Sequence, residues 1–141
     1  MPADLQTLCE IDDACFPPGV SYSQEELAGF IRRRNSQTWI AEEGKEVVGF
    51  LVASETRGAR THIVTIDVKQ EWRRRGVGAA LMDAAERWTR TRGLGVVTLE
   101  TAEDNRPAQA FYRKRGYVKL DEVKNYYADG STAWVMGKRL R

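Results

Sequence analysis

The sequence predicts a single α/β domain built on a mixed β-sheet, and three observations support this. A chain of 141 residues suits one hydrophobic core. A hydrophobic content of 42% with 30% charged residues is typical of a soluble globular protein. Segments with helical spacing of apolar residues stand beside short segments rich in β-branched residues. We therefore expect residues 1–141 to form one domain.

The first half of the chain predicts two helices followed by strands. Residues 4–15 have apolar side chains at helical spacing, with Asp4 placed as the N-cap. Ser23 and Glu26 form a capping box for a second helix that runs from Gln24 to about Arg34. Strands are predicted at 38–43, 46–55 and 60–68, with a turn at Gly44 between the first two.

The second half alternates between helices and strands. A helix begins after Gly76 and ends at Gly93, and a short buried strand follows at 95–101. The next helix begins at Asn105 or Arg106, with Pro107 in its first turn, and ends at Arg115-Gly116. Residues 117–123 and 132–140 form a hairpin-like pair of strands around a turn at Asp129-Gly130. The predicted order is ααββββαβαββ, or close to it.

Composition excludes several classes of protein. No apolar run approaches the ~20 residues that span a bilayer, and no signal segment opens the chain. Cys9 and Cys15 are six residues apart on a helix, which does not favour a disulfide. With His62 as the single histidine, a metal site is not expected. These observations predict a reduced, cytoplasmic protein without metal or membrane contact.

The net charge of +2 hides an asymmetry between the two halves of the chain. Residues 1–70 carry 7 Lys and Arg against 11 Asp and Glu, whereas residues 71–141 carry 15 against 9. The second half therefore attracts anions and the first half does not. This pattern favours a local anionic ligand over a polyanion that covers the whole surface.

A loop rich in arginine and glycine precedes the third predicted helix. Arg73, Arg74 and Arg75 are followed by Gly76 and Gly78. A helix N-terminus offers unpaired N–H groups, and glycines remove the Cβ atoms that would keep a phosphate away from them. The loop fits neither the dinucleotide fingerprint nor the P-loop pattern. Taken alone, it favours an arginine-rich tight turn over a diphosphate cradle.

Two segments together resemble a known family. The stretch "IDVKQEWRRRGVGAAL" and the downstream "NRPAQAFYRKRGY" resemble the GNAT superfamily of acetyl-CoA-dependent N-acetyltransferases over nearly the whole chain. The resemblance implies that the loop binds the pyrophosphate of coenzyme A and that residues 66–68 pair with its pantetheine arm like an added strand. The implied coenzyme-binding residues are Ile66, Asp67, Val68, Arg73, Arg74, Arg75, Gly76, Val77, Gly78, Ala79, Asn105 and Tyr112.

Glu100 and Tyr112 are the candidate catalytic residues. Amide formation from a thioester needs a neutral amine, a stabilised oxyanion and a protonated leaving thiolate. Glu100 is a lone acid at the end of a buried strand and faces the same way as Thr98, so it can accept the amine's proton directly or through water. The alternative is that it only pairs with Arg106. For Tyr112 the choice is between a core aromatic and, as the resemblance implies, the proton donor to sulfur. Val68 N–H is expected to polarise the thioester carbonyl.

The spacing of these residues resembles one branch of the family in particular. Glu100 and Tyr112 are twelve residues apart with Asn105 between them, as in the RimI-like enzymes, which acetylate the N-terminal alanine of a ribosomal protein. In that branch the glutamate is the proposed base and the tyrosine the acid. Tyr126 and Tyr127 then either line a peptide groove or are strand aromatics. His62 is predicted to be a strand side chain without catalytic duty.

The chain departs from this resemblance at two points. Three residues precede the helix at Asp4, so the family's first strand is predicted to be shortened, missing or supplied by a partner chain, which makes a homodimer possible. Ser131 and Thr132 stand before Ala133, where the RimI-like branch often has an acidic pair. The acceptor is therefore open, although an α-amine, with a pKa near ~8, is easier to deprotonate than lysine at ~10.4.

Three functions remain open at this point. The first is acetyl transfer to a protein or peptide N-terminus, and the second is acetyl transfer to a small-molecule amine. The third is a nucleic-acid-binding module that uses the basic second half, although "RKRGYV" lacks the stacking aromatics of an RNA-recognition motif. The first two predict tight binding of coenzyme A and no nucleic-acid partner, and the third predicts salt-dependent binding of oligonucleotides.

Overall fold

The computed structural model describes residues 5–57 and 59–140, which form a six-stranded mixed sheet flanked by four α-helices. The helices are α1 (Leu5–Cys15), α2 (Gln24–Arg32), α3 (Val77–Thr91) and α4 (Arg106–Lys114), with a 3-10 turn at Gln70–Trp72. The strands are β1 (Ser36–Glu43), β2 (Glu46–Thr56), β3 (Arg60–Val68), β4 (Val96–Ala102), β5 (Val118–Val123) and β6 (Ala133–Arg139). The α/β class and the mixed sheet are confirmed.

The order of elements is ααβββαβαββ, so the prediction of four strands before α3 is wrong. Three long strands joined by short turns use almost all of residues 36–68, and β2 alone has 11 residues. No segment is left for a fourth strand before α3. The segments predicted individually in this region agree with the three observed strands.

Helix ends follow their capping residues. The Ser23 hydroxyl accepts from Glu26 N, and the Glu26 carboxylate accepts from Ser23 N, so the predicted capping box is present. This helix ends at Arg32, two residues before the predicted end. At the start of α4, Asn105 Oδ1 accepts from Ala108 N. The cap predicted at Asp4 lies outside the described residues.

The sheet order is β1-β2-β3-β4-β6-β5, and β3 and β4 are its parallel pair. A parallel connection needs a long crossover, which α3 provides. The pairing of β3 with β4 begins at Arg60 and Val96 and ends at Ile63 and Leu99. Beyond these residues the two strands splay apart, which leaves a V-shaped opening beside residues 64–68 of β3.

An irregularity in β3 decides on which face of the sheet its last side chains lie. The β2–β3 register skips Val64, because Val52 pairs with Thr65 and Ala53 pairs with Ile63. This bulge places Thr65 and Asp67 on the α1 side of the sheet, opposite Val52 and Phe50 of the core below α1 and α2. A second core lies between the other sheet face, α3 and α4, and contains Leu51, Leu81, Met82, Val97, Leu99, Tyr112, Tyr117 and Met136.

A buried carboxylate on α3 contacts residues of β6 and of the segment that follows α4. Glu86 of α3 is 4% exposed, and its two oxygens accept from the Tyr117 hydroxyl at 2.9 Å and from Lys138 Nζ at 3.1 Å. The Arg115 guanidinium lies 3.4 Å from the same carboxylate. Because the Glu86 charge is buried, loss of one of these partners from β6 or from the segment after α4 would leave it poorly compensated, which couples their packing to α3.

Several sequence predictions concern the surface and the chain ends. The shortened first strand falls on residues 1–4, outside the described residues, and its replacement by a partner chain stays a prediction. Cys9 and Cys15 are free thiols. None of the helices in the described part of the chain has the length and apolar character of a membrane span. Among the same residues, no three His, Cys, Asp or Glu side chains are grouped to hold a metal ion.

Candidate active site

The N-terminus of α3 lies at the mouth of the V-shaped opening. Gly76 has φ 85° at the N-cap, a left-handed conformation that a glycine adopts without strain. A Cβ atom on Gly78 would lie 3.3 Å from Phe111 Cζ and 3.9 Å from Val68 Cγ2. The glycine therefore allows α4 and the end of β3 to approach the first turn of α3. The N–H groups of this turn, which include those of Val77 and Ala79, have no partner within the helix, an arrangement that suits an anion.

The three loop arginines take different positions. Arg73 turns back toward the sheet, where Nε donates to Val68 O at 3.0 Å and a terminal nitrogen lies 3.4 Å from Cys15 Sγ. Arg75 stacks on the Trp72 ring at 4.8 Å. Arg74 has a positive φ of 64° and forms the bend of the loop. Arg73 and Arg75 thus stabilise the loop conformation, and the predicted contact of the three arginines with a diphosphate stays a prediction.

The backbone of β3 beside the opening alternates in direction. Lys69 N donates to Val48 O of β2, so the N–H groups of Val68 and Ile66 point away from β2 into the opening, whereas that of Asp67 points toward β2. An extended arm in the opening can therefore pair with Ile66 and Val68. Together with the α3 N-terminus, these groups fit the pantetheine and diphosphate parts of coenzyme A.

Glu100 lies on the α1 side of β4, at the point where β3 and β4 diverge. Its Oε1 is 2.9 Å from His62 Nε2 and accepts from the Tyr126 hydroxyl at 3.0 Å. His62 Nδ1 is 3.1 Å from Thr98 Oγ1, as expected from side chains that share one face of the sheet. A carboxylate only accepts hydrogen bonds, so Nε2 carries a hydrogen, and in the neutral ring Nδ1 accepts from Thr98. Thr98, His62 and Tyr126 thus orient one oxygen of Glu100.

His62 is a residue of the candidate site that sequence reasoning did not place there. It was predicted to have no catalytic duty, and Glu100 had Arg106 as its alternative partner. The structure instead pairs Glu100 with His62, because the parallel register sets His62 opposite Thr98, two residues before Glu100. The signal in the sequence was the distance of His62 from the end of β3. That distance can be interpreted only when the register between β3 and β4 is known.

Tyr112 of α4 lies in the core on the other side of the opening. The residue is 7% exposed, and its ring packs edge-on against Phe111 and Tyr117. Burial, with a smaller effect of the Asp67 charge, raises the pKa of Tyr112 above its usual range. The hydroxyl has no hydrogen-bond partner among residues 5–57 and 59–140. A protonated, unpaired phenol at this depth is available to a ligand in the opening.

Three tyrosines from two loops surround Glu100. Tyr126 and Tyr127 of the β5–β6 loop pack edge-on with ring centroids 4.9 Å apart. Burial and the Glu100 carboxylate raise the pKa of Tyr126 to about 12. Tyr22, from the α1–α2 loop, donates to Val64 O at 3.2 Å, and burial raises its pKa. Tyr22 was not identified from the sequence.

The two loops contact each other directly. Ala128 N donates to Gly19 O at 3.0 Å, and a Cβ on Gly19 would lie 2.8 Å from Asp129 Cβ. The α1–α2 loop and the β5–β6 loop therefore form one continuous wall beside Glu100. Asn105 lies apart from this wall, where its oxygen caps α4. Its predicted contact with coenzyme A stays a prediction.

The sheet, its splay and the glycine-bearing helix N-terminus define a GNAT-type acetyltransferase. The model of the acetyltransferase (GNAT) family matches residues 5–117, and the chain belongs to this family. It is therefore an acyltransferase, for which acetyl-CoA is the donor.

Two similar sequences and one solved structure show which acetyltransferases this chain resembles. An N-alpha-acetyltransferase of Sulfurisphaera tokodaii is 26% identical, over 97% of this chain and 88% of its own. An uncharacterized N-acetyltransferase of Methanocaldococcus jannaschii is 30% identical, over 96% of this chain and 86% of its own. The crystal structure of Ard1 from Thermoplasma volcanium superposes with a TM-score of 0.93 at 30% identity, over 100% of this chain and 94% of that one.

Gly78→Asp is expected to raise the KM for acetyl-CoA at least tenfold, a loss of about 1.4 kcal/mol in binding, because it adds a side chain and a negative charge to the anion site. The added side chain also meets Phe111, so we expect a loss of stability beside the loss of binding, and the two effects must be measured separately. The measurement is steady-state kinetics with varied acetyl-CoA, checked by thermal unfolding. Gly29→Asp is the control, since a Cβ on Gly29 meets nothing within 4 Å. An unchanged KM in the Gly78 variant would place the diphosphate elsewhere.

Proposed function

We propose that this enzyme transfers the acetyl group of acetyl-CoA to the N-terminal α-amine of a protein or peptide. The observation that carries the proposal is the Glu100 carboxylate, held by His62 and Tyr126 where β3 and β4 diverge. Its position beside two tyrosine-bearing loops suits a chain end that enters from the loop side. Relatives named N-alpha-acetyltransferases support the same acceptor.

Glu100 acts as the base in this proposal. Oε1 is engaged by His62 and Tyr126, and Oε2 has no partner among the described residues. Oε2 therefore accepts the proton of the incoming ammonium, directly or through one water. An α-amine suits a single carboxylate, because its pKa of about 8 leaves a substantial neutral fraction at neutral pH.

The remaining groups act on the thioester that acetyl-CoA supplies. Val68 N–H points into the opening and stabilises negative charge on the carbonyl oxygen. As the C–N bond forms and the C–S bond breaks, the Tyr112 hydroxyl donates its proton to the departing sulfur. The nitrogen loses two protons overall: one passes to Glu100 before attack and is then released to solvent, and the second leaves after the C–N bond forms and returns through solvent to the Tyr112 oxygen.

Narrower proposals concern the identity of the acceptor, the oligomeric state, the cellular location and the partners. We propose a ribosomal protein N-terminus as one acceptor to test, supported by the Glu100–Tyr112 spacing and by the fold shared with the ribosomal-protein-S18-alanine N-acetyltransferase of Escherichia coli, at 20% identity and a TM-score of 0.86. A homodimer and a cytoplasmic location also stay proposals, as does the absence of nucleic-acid and membrane partners.

The acceptor is tested by measuring coenzyme A release with three matched sets of amines. The first set is peptides with free α-amines and different first residues, the second is the same peptides α-blocked but with a free lysine, and the third is polyamines. We expect turnover with free α-amines only. Turnover confined to polyamines would assign a small-molecule acceptor instead. Binding of oligonucleotides without turnover of any amine would overturn the proposed function.

A further inference from the structure

Two carboxyl groups are buried together between α1 and β3, behind the wall formed by the two loops. Asp12 is 0% exposed and Asp67 is 1% exposed. Asp12 Oδ2 accepts from Tyr22 N at 2.7 Å, which fixes the α1–α2 loop (residues 16–23) to α1. Neither carboxyl takes part in the chemistry described above, and two adjacent buried carboxylates would repel each other strongly.

The buried oxygens of Asp12 and Asp67 have fewer hydrogen-bond donors than they need. Thr65 Oγ1 lies within reach of both Asp67 Oδ1 and Asp12 Oδ1, but a hydroxyl has one hydrogen to donate. The contact with Asp67 is the shorter of the two, so Asp12 Oδ1 is left without that donor. Asp67 Oδ2 is buried and has no partner among the described residues. One proton held between the two carboxyls satisfies the oxygens that remain.

The charged and titratable surroundings agree with a shared proton. Burial, and then the hydrogen bond and charge of Asp12, raise the pKa of Asp67 well above its usual range. Arg73 acts in the opposite direction, but its guanidinium is bound to Val68 O and Cys15 Sγ. The other titratable groups near Asp67 are Cys15, whose pKa it helps to raise, and Tyr112.

We propose that Asp67 is a positioning residue for acceptor binding: by sharing one proton with Asp12, it fixes the α1–α2 loop and Tyr22 beside Glu100. The coupling runs from Asp67 on β3 to Asp12 on α1, and from Asp12 to the backbone of Tyr22. It rests on the proposed acceptor site, because the loop wall matters only if the acceptor enters there.

The test compares Asp67→Asn, which replaces the shared proton by an amide donor, with Asp12→Ala, which leaves Tyr22 N without its acceptor. Asp13→Ala is the matched control, since Asp13 is the exposed neighbour on the same helix. We expect Asp12→Ala to raise the acceptor KM about tenfold, as for the loss of one buried hydrogen bond, with the KM for acetyl-CoA unchanged. Asp67→Ala, which removes the shared proton, should raise the acceptor KM by a similar factor, and Asp67→Asn should recover most of that loss because its amide still donates to Asp12. A rise in Asp67→Asn equal to that in Asp67→Ala, or no rise in either Asp67→Ala or Asp12→Ala, would overturn the proposal.

Two readouts do not depend on the acceptor. Infrared spectroscopy at neutral pH should show the carbonyl stretch of a neutral carboxylic acid in the parent protein and not in Asp67→Asn. Because folding raises the pKa of Asp67, its contribution to stability is fully present below ~3.9 and is lost as the pH rises through the folded value. Asp67→Asn should therefore gain stability relative to the parent above about pH 4. Absence of the infrared band would exclude the shared proton, even if no α-amine is ever acetylated.

Discussion

Replacing Glu100 with glutamine is expected to lower kcat by about 100- to 10,000-fold, the usual range for removal of a general base. The amide keeps the size of the side chain and can still accept from His62 and Tyr126, so the site stays assembled. What the variant loses is the ability to accept the amine's proton at Oε2. The measurement is kcat and both KM values with the best α-amine acceptor, and the KM for acetyl-CoA should not change.

The control for this substitution is Glu103→Gln, which neutralises an exposed glutamate directly after the same strand. It should leave kcat within twofold of the parent. A second test adds His62→Gln and the double variant. If His62 acts by orienting Glu100, the two substitutions will be strongly non-additive, because they remove parts of one unit. Full additivity would give His62 a separate role, and an unchanged kcat in Glu100→Gln would exclude Glu100 as the base.

Replacing Tyr112 with phenylalanine is expected to lower kcat by about 100-fold without lowering stability. The hydroxyl has no hydrogen-bond partner among the described residues, so its removal leaves no buried group unpaired. Because burial raises the pKa of Tyr112, the parent enzyme should keep this acid protonated, with no loss of kcat as the pH rises toward the ordinary tyrosine value of ~10. The measurements are the pH–rate profile and the thermal unfolding of the parent enzyme and of Tyr112→Phe.

Tyr117→Phe is the matched control, since this tyrosine is buried beside Tyr112 but its hydroxyl donates to Glu86. It should lower the free energy of unfolding by about 1–2 kcal/mol and leave kcat nearly unchanged, the reverse of the Tyr112 result. A loss of stability in Tyr112→Phe equal to that of Tyr117→Phe, with normal kcat, would make Tyr112 a core aromatic only.

Local signals in the sequence were sufficient for most elements of the fold. The capping box at Ser23 and the periodicity after Gly76 depend on neighbouring residues, and both agree with the observed helices. The count of strands before α3 was wrong, although the three segments predicted there one by one agree with β1, β2 and β3. The end of α2 was missed by two residues, because Ser36 binds the carbonyls of Ile31 and Arg33 and begins β1 early.

The sequence by itself determined the class of protein, because the loop from Arg73 to Gly78 and the segment around Tyr112 are contiguous patterns. Only the tertiary structure decided which residues surround the acid. His62 reaches Glu100 through the register of two parallel strands, and the bulge at Val64 turns Asp67 toward Asp12. Register and bulges arise from hydrogen bonds between residues far apart in the chain, and a change of one residue in register moves every side chain to the opposite face of the sheet.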